Sequence, residues 1–463
     1  MLEWIKEPIN ASEIGLKESD LQGASAAELQ NLELVNSESY EEVLKKAIKL
    51  VKKDMEGIDP IALVKEELGH MSDNISRLLE SENPTLNKVA KYYFQSTGKQ
   101  IRPLVVLLLS QAVNDMVKNR QEISASGAAG SSGLNAAGQQ RSMDQEDYRF
   151  MDVSLFDNSL DNDSVVRDKL IRSALAEASN GKSMYLPTSN NGYGLVVLPP
   201  QRRLAEITEL IHTASLIHDD IVDQAATRRG MPATHKVFGN KMAVLAGDFF
   251  LARASMSLAR LRNPEVVELL ATVIMDLVEG EFKQLGNSGS SKFNESELDV
   301  FNYYLQKTYL KTASLFANSS RATAILGNTS DKCAEVAYLF GKNLGIAFQL
   351  VDDLLDFTTT SKMVAGKPVQ GADMKLGIAT APVLYAWQEN PGVLGPLIAR
   401  RFKEPDDCKI AWDLVHSGQA LAKTRTLVHL YAEKAMASLC LLPPSPSRQA
   451  LLNLTHSLIY RKF

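Results

Sequence analysis

Two copies of one acidic pattern, Asp219-Asp220-Ile221-Val222-Asp223 and Asp352-Asp353-Leu354-Leu355-Asp356, are each set in an apolar run of helical character. Residues four apart share a helix face, so Asp219 projects with Asp223 and Asp352 with Asp356. Like charges at that spacing cost an isolated helix a few tenths of a kcal/mol, so a chain that does this twice needs counter-charge from elsewhere. A divalent cation is the economical candidate. All-oxygen ligand sets suit Mg2+, which keeps several waters and completes its shell with substrate phosphate oxygens. The pattern constrains fold and ligand together: two helices must turn acidic faces to one site, and the site takes a phosphorylated molecule. One such cluster could equally be a solvated helix end. Ile217, Ile221 and Val222 around the first copy, and Leu350, Val351, Leu354 and Leu355 around the second, speak against that for the pair.

The rest of the chain reads as a succession of helices. From Pro200 onward, helical segments are expected at about 201–224, 241–260, 263–285, 296–326, 331–357, 379–390, 407–416, 418–439 and 446–461. Segments near 40–54, 60–81 and 85–97 carry apolar residues at steps of three and four, with Asn83-Pro84 as a break, and GKQIRPLVVLLLSQAV opens a buried helix. No stretch alternates as strands do. Helices joined by short turns imply an all-α bundle with its ligand site facing inward. Four parts are expected: a polar arm at 1–38, the first part of the helical domain at 39–113, a low-complexity, disordered insertion at 114–197, and the remainder of the helical domain at 198–463. Within the insertion, VVRDKLIRSALAEA is expected as a short helix.

Composition narrows the partners. A hydrophobic share of 45% in 463 residues is ample for a core, and a net charge of -5 speaks against a broad nucleic-acid surface. Cys333, Cys408 and Cys440 show neither metal-ligand nor disulfide spacing. The longest strongly apolar stretch, 104–113, is about half of the ~20 residues that cross a bilayer, so no transmembrane helix is expected. Glu3, Glu7, Glu13, Glu18 and Asp20 make the N-terminus unlike an Arg-rich mitochondrial presequence or a secretory signal.

Three basic groups supply matching charge. Lys99 and Arg102 stand three apart in GKQIRP, Arg228-Arg229-Gly230 follows the first acidic cluster, and Lys311-Thr312 lies within NYYLQKTYLKTASLFA, with Lys367 and Lys375 downstream of the second cluster. Taken singly, each could be a solvated helix end or a turn. Together they provide arginine forks that recognise phosphate bidentately and lysine point charges. Such apparatus could hold two diphosphates, one on metal and one on basic side chains alone.

The segments GKQIRP, HTASLIHDDIVDQAATRRG, GNKMAVLAGDFFLARA, EGEFKQL, YLKTASL, FQLVDDLLDF and GADMKLGIATAPVLYA, in this order, resemble the trans-isoprenyl diphosphate synthase family. More narrowly they are similar to its fungal mitochondrial long-chain members of ubiquinone biosynthesis, of hexaprenyl or decaprenyl type. The likeness spans about residues 85–390. It implies an isoprenoid-synthase-type helical bundle with a central cavity between two Asp-rich helices. It also implies a prenyltransferase that condenses isopentenyl diphosphate repeatedly onto an allylic diphosphate, farnesyl or geranylgeranyl diphosphate.

By that resemblance Asp219, Asp220, Asp223, Asp352, Asp353 and Asp356 are the catalytic acids, with Asp219, Asp223, Asp352 and Asp356 on Mg2+. Lys99, Arg102, His212 and Arg229 match the isopentenyl diphosphate pocket, and Arg228, Lys311, Thr312, Gln349, Lys367 and Lys375 the allylic diphosphate site. His212 lies two turns before Asp219; His218 is left unassigned. Ala214 and Ser215, one turn before Asp219, occupy the position where short-chain relatives place bulky aromatics, so a long product is expected. The resemblance further implies a homodimer, with a heteromer as the alternative, peripheral membrane association, and the matrix side of the mitochondrial inner membrane.

Two departures stand out. One extra residue separates Lys367 from Asp373, and the 114–197 insertion is unusual for the family core. A class I terpene cyclase shares the bundle and the first acidic motif, but the second Asp-Asp-x-x-Asp and GKQIRP favour elongation. A non-catalytic partner subunit is the rival from another class; such partners commonly lose the acidic clusters that this chain keeps.

Overall fold

The computed structural model describes residues 58–95, 100–127, 196–286, 297–358 and 371–459. The expected arm at 1–38, the helices expected at 40–54 and within VVRDKLIRSALAEA, and most of the expected insertion lie outside them.

Helices α1 (Pro60–Leu63) and α2 (Lys65–Leu78) replace one expected segment, separated at Val64. Asn83 accepts from the Thr85 N–H at 2.9 Å and starts α3 (Pro84–Gln95), with proline at the first helical position, where no donor is lost. Helix α4 (Ile101–Gly127) runs past residue 114, the expected start of the insertion. Helix α5 (Pro199–Val222) begins on two prolines, and Gln201 accepts from the Leu198 N–H at 3.0 Å.

A hairpin of β1 (Thr227–Arg228) and β2 (Met231–Pro232) follows, then α6 (Thr234–Phe238), α7 (Asn240–Arg260) and α8 (Pro264–Gly286). Helix α9 (Glu297–Thr308) passes through a π-helical turn, Tyr309–Ala313, into α10 (Ser314–Leu326). After α11 (Asp331–Thr358) come α12 (Ala372–Lys375), α13 (Ala381–Glu389), α14 (Pro391–Ala399), α15 (Asp407–Ser417), α16 (Ala420–Cys440) and α17 (Pro446–Ile459).

Helices α5, α10 and α11 position the site. Helix α10 packs against both α5 and α11, which places the two acidic helices on either side of it. Gly341 and Gly345 make the α10–α11 contact close. A Cβ at Gly341 would run into the Phe316 carbonyl, and one at Gly345 would stand 2.5 Å from Ala313 Cα. On α5, Leu204, Ile207, Leu210, Ile211 and Ile217 are completely enclosed. Each such side chain contributes about 1.5–3 kcal/mol of burial. One core cluster joins α2–α5, α7, α10 and the first half of α11; a second joins α9, the second half of α11 and α13–α16, and Phe348 touches both.

Two differences from the sequence expectation have simple causes. The hairpin strands are two residues each, too short for alternation to register. Helix α14 escaped notice because Pro391, Gly392, Gly395 and Pro396 read as breakers, although Pro391 sits harmlessly at its start. By length and composition α7 is the one described helix able to cross a membrane, yet it packs along α5 and buries Ala243, Ala246, Phe250 and Ala254.

Candidate active site

Both acidic clusters fall at the C-terminal ends of their helices. Asp223 caps α5, donating its N–H to the Asp219 carbonyl at 2.8 Å, and Asp352, Asp353 and Asp356 occupy the last two turns of α11. Carboxylates there meet the negative end of the helix dipole. No basic residue lies in the last turn of either helix, so other elements must bring the cations.

The acids divide by what they touch. Burial pushes the Asp219 carboxyl up to about 6; Lys311 opposes this, while Glu281 and Asp223 push the same way. Burial raises Asp223 too, with Lys311 again opposing. Asp220, only 1% exposed, accepts on one oxygen from Arg228 Nε at 2.9 Å and from Arg228 Nη2. Buried Asp353 accepts from Gln349 Nε2 at 2.9 Å, from the Tyr304 hydroxyl and from the Ala381 N–H at 3.5 Å. Asp356 accepts from the N–H groups of Ala372 at 2.9 Å and Asp373 at 3.3 Å, tying α12 to the end of α11. Asp220, Asp353 and Asp356 thus spend oxygens on the protein itself, which sets them apart from Asp219 and Asp223.

No three carboxylate, imidazole or thiol groups among the described residues converge closely enough to hold a metal by themselves. An ion here would share acids of two helices with ligand oxygens, the usual situation for Mg2+. The donors fit such an ion: they are all oxygen, and at Asp219 they are buried beside two further carboxylates, Glu281 and Asp223.

A basic pocket adjoins the acids. Arg102, in the first turn of α4, donates from Nη1 to His212 Nε2 at 3.0 Å. A guanidinium cannot accept, so the neutral His212 carries its proton on Nδ1. Burial holds the His212 pKa well below the ordinary histidine range, and Arg102 and Arg229 hold it lower. The Arg102 guanidinium lies 4.8 Å from the Phe316 ring centroid and 5.8 Å from that of Phe348. Burial lowers its pKa to about 10 against the pull of Glu209 and Asp352, which places the second acidic cluster within electrostatic reach.

Arg229 and Gly230 form the hairpin turn, with φ of 52° and 77°. Positive φ at both central residues is the geometry of a type I′ turn, and a non-glycine residue held there is strained. The turn leaves Arg229 exposed, 5.8 Å from the Tyr93 ring centroid, and directs Arg228 back to Asp220.

The π-helical turn serves the other side of the site. The Ser314 N–H donates to the Tyr309 carbonyl five residues back, and the extra residue re-aims Lys311 and Thr312. Lys311 pairs with Glu281 of α8 and acts on Asp219 and Asp223. Thr312 donates to Gln349 Oε1 at 2.8 Å, and Gln349 donates on to Asp353.

Other expected residues sit differently. Lys99 and Lys367 lie outside the described residues. Lys375 is exposed, and its charge acts on the Cys408 thiol of α15. Ala214 has no exposed surface and belongs to the main core, whereas Ser215 is half-buried, its hydroxyl donating to the His212 carbonyl at 2.8 Å.

Three acids were not singled out in the sequence. Glu281 partners Lys311; Glu209, buried one turn before His212, is pushed up to about 7 by burial against the pull of Arg102 and Arg229; Asp373 is raised by burial and by Asp353 and Asp356. Each is an isolated acid whose importance comes from tertiary neighbours. The one available signal was Glu281 and Asp373 lying within EGEFKQL and GADMKLG.

The polyprenyl synthetase family model matches residues 167–415. The probable mitochondrial hexaprenyl pyrophosphate synthase of Yarrowia lipolytica is 45% identical over 90% of this chain and 88% of its own length. The mitochondrial hexaprenyl pyrophosphate synthase of Saccharomyces cerevisiae is 41% identical over 92% of this chain and 95% of its own. A crystal structure of a polyprenyl synthase from Caulobacter crescentus, complexed with calcium and isoprenyl diphosphate, superposes with a TM-score of 0.62 at 26% identity, covering 87% of this chain and 97% of that one. With the family model matching 167–415 and relatives this similar along nearly the whole chain, the protein belongs to the polyprenyl synthetase family.

Proposed function

We propose that the protein is an all-trans-polyprenyl diphosphate synthase that adds isopentenyl diphosphate repeatedly to an allylic primer, farnesyl or geranylgeranyl diphosphate, to build the long prenyl tail of ubiquinone. The observation that carries this reading is the separation of two anion sites. One is formed by the acids ending α5 and α11 with Lys311; the other by Arg102, His212 and Arg229, whose cations need no metal.

The allylic diphosphate would lie between the acidic helices, where Asp219, Asp223 and Asp352 would hold Mg2+, with Asp356 fixing the loop beside them. Mg2+ when bound supplies positive charge that stabilises the diphosphate as it leaves. Lys311, Thr312 and Gln349 line the same diphosphate, and Arg228 acts through Asp220 to keep the end of α5 in place. Cleavage of the allylic C–O bond sends its electron pair out with the diphosphate. The double bond of isopentenyl diphosphate supplies the pair for the new C–C bond, and the resulting cation loses a proton to the released diphosphate. Phe316 and Phe348 keep water from the cation while Arg102 and His212 orient the second substrate.

The half-buried Ser215 leaves room for the growing chain, which supports a long product. A homodimer through α7 and α8 is proposed from their outer faces. Met275, Val278, Phe282 and Leu285 recur at steps of three and four on α8, with Phe282 72% exposed, and α7 likewise exposes Leu245 and Met256. Mitochondrial residence is proposed from the relatives, with the matrix side of the inner membrane as the place to hand over a very apolar product. Retention of both acidic clusters favours the enzyme over a non-catalytic subunit. Replacing Asp219 or Asp352 with Ala is expected to abolish turnover with helicity unchanged by circular dichroism; full turnover in either variant would contradict the assignment.

A further inference from the structure

Lys307 lies in the last turn of α9, two residues before the π-helical segment, and has no role in the reading above. Its surroundings are those of the active site. Asp353, Asp373 and Glu281 draw on its charge and Lys311 opposes it, while its ammonium lies 5.7 Å from the Tyr304 ring centroid. The Tyr304 hydroxyl is itself anchored on Asp353, so the ring that carries the ammonium is fixed to the second acidic helix. Lys307 and Lys311 share Glu281 but act on different aspartates. Lys311 acts on Asp219 and Asp223 of the first cluster and is tied to Glu281; Lys307 acts on Asp353 and Asp373 of the second side.

Among the described residues Lys307 has no hydrogen-bond or ion-pair partner within reach, although its side chain is only partly exposed. An ammonium has three donors, and withdrawing it from water without an acceptor is costly. A cation–π contact offsets only part of that cost. The missing acceptor is supplied if a ligand anion enters between the two acidic helices.

We propose that Lys307 is a second lysine for the allylic diphosphate, taking the oxygens on the α11 side while Lys311 takes those on the α5 side. The proposal rests on the prenyl-transfer reading of the site.

Wild type, Lys307→Met and Lys307→Arg are compared with Mg2+ present. The readouts are calorimetric titration with inorganic diphosphate, KM for farnesyl and for isopentenyl diphosphate, and Tm. For Lys307→Met the expected results are a rise of about tenfold or more in farnesyl KM and in diphosphate Kd, the loss of one charge-assisted hydrogen bond, with isopentenyl KM and Tm little changed. Lys307→Arg is expected to recover most of the affinity. Unchanged farnesyl KM and diphosphate Kd in Lys307→Met would overturn the proposal. So would a parallel rise of both KM values with a fall in Tm, which marks a counter-charge for Asp353 and Asp373. If folded wild type elongates nothing, the prenyl-transfer reading fails, and the diphosphate titration alone then decides whether Lys307 binds this ligand.

Discussion

Arg228→Ala tests what holds the end of α5 in place. Asp220 is 1% exposed, and the only protein donors to its carboxylate within hydrogen-bond reach among the described residues are Arg228 Nε and Nη2, both on one oxygen; the other oxygen has none. Removing one partner of a buried pair leaves an uncompensated charge, typically at a cost of 3–5 kcal/mol. The Arg228 side chain is 34% exposed, so solvent screens part of the attraction and about 3 kcal/mol is the sounder expectation. At roughly 2–4 °C per kcal/mol for domains somewhat smaller than this, Tm is expected to fall by about 6 °C or more. Circular dichroism and urea titration measure the loss. The double variant Asp220→Leu/Arg228→Met is expected to recover much of the stability without the activity, because an apolar pair needs no counter-charge. A loss below about 1 kcal/mol in Arg228→Ala, or additive losses in the two single variants, would refute the pairing argument.

Ser215→Phe is expected to shorten the product on chromatography, since this half-buried position borders the proposed chain path; Ala214→Phe, inserted into closed core, is expected to cost stability of about 1–3 kcal/mol first. Burial raises the Glu209 pKa from 4.5 to about 7, so the folded chain keeps a proton that the unfolded chain has lost. Its contribution to stability is therefore fully present below about pH 4.5 and lost as pH rises through about 7, and Glu209→Gln is expected to flatten that slope in unfolding titrations. Gly341→Ala forces a methyl group toward the Phe316 carbonyl, so α11 must shift; a lower Tm and a lower kcat are expected together, measured by thermal unfolding and initial rates. Phe282→Glu is expected to yield monomers in sedimentation velocity, and an unchanged mass would place the subunit contact elsewhere.

Much of this was legible in the sequence, for a physical reason. Helix periodicity and the repeated Asp-Asp-x-x-Asp are local patterns, so the long helices and both acidic clusters could be read directly. The relatives place the chain in the family that its motifs resembled. What stayed hidden depends on partners distant in sequence. Nothing local says that Asp220 faces Arg228 while Asp219 faces Lys311, because adjacent residues on a helix point about 100° apart and only packing decides what each meets. Glu209 and Lys307 look like ordinary charged helix residues until the fold encloses them. The hairpin that presents Arg229 is set by two positive-φ residues, and Arg-Gly is a weak signal for such a turn.

The most direct test of the account is incubation of the folded protein with radiolabelled isopentenyl diphosphate, farnesyl diphosphate and Mg2+, followed by chromatography of the dephosphorylated products. A ladder ending in an all-trans prenyl chain of several added units is predicted, lost in Asp219→Ala. A folded, Mg2+-loaded protein that leaves the label entirely in isopentenyl diphosphate, or that gives cyclised hydrocarbon, would contradict it.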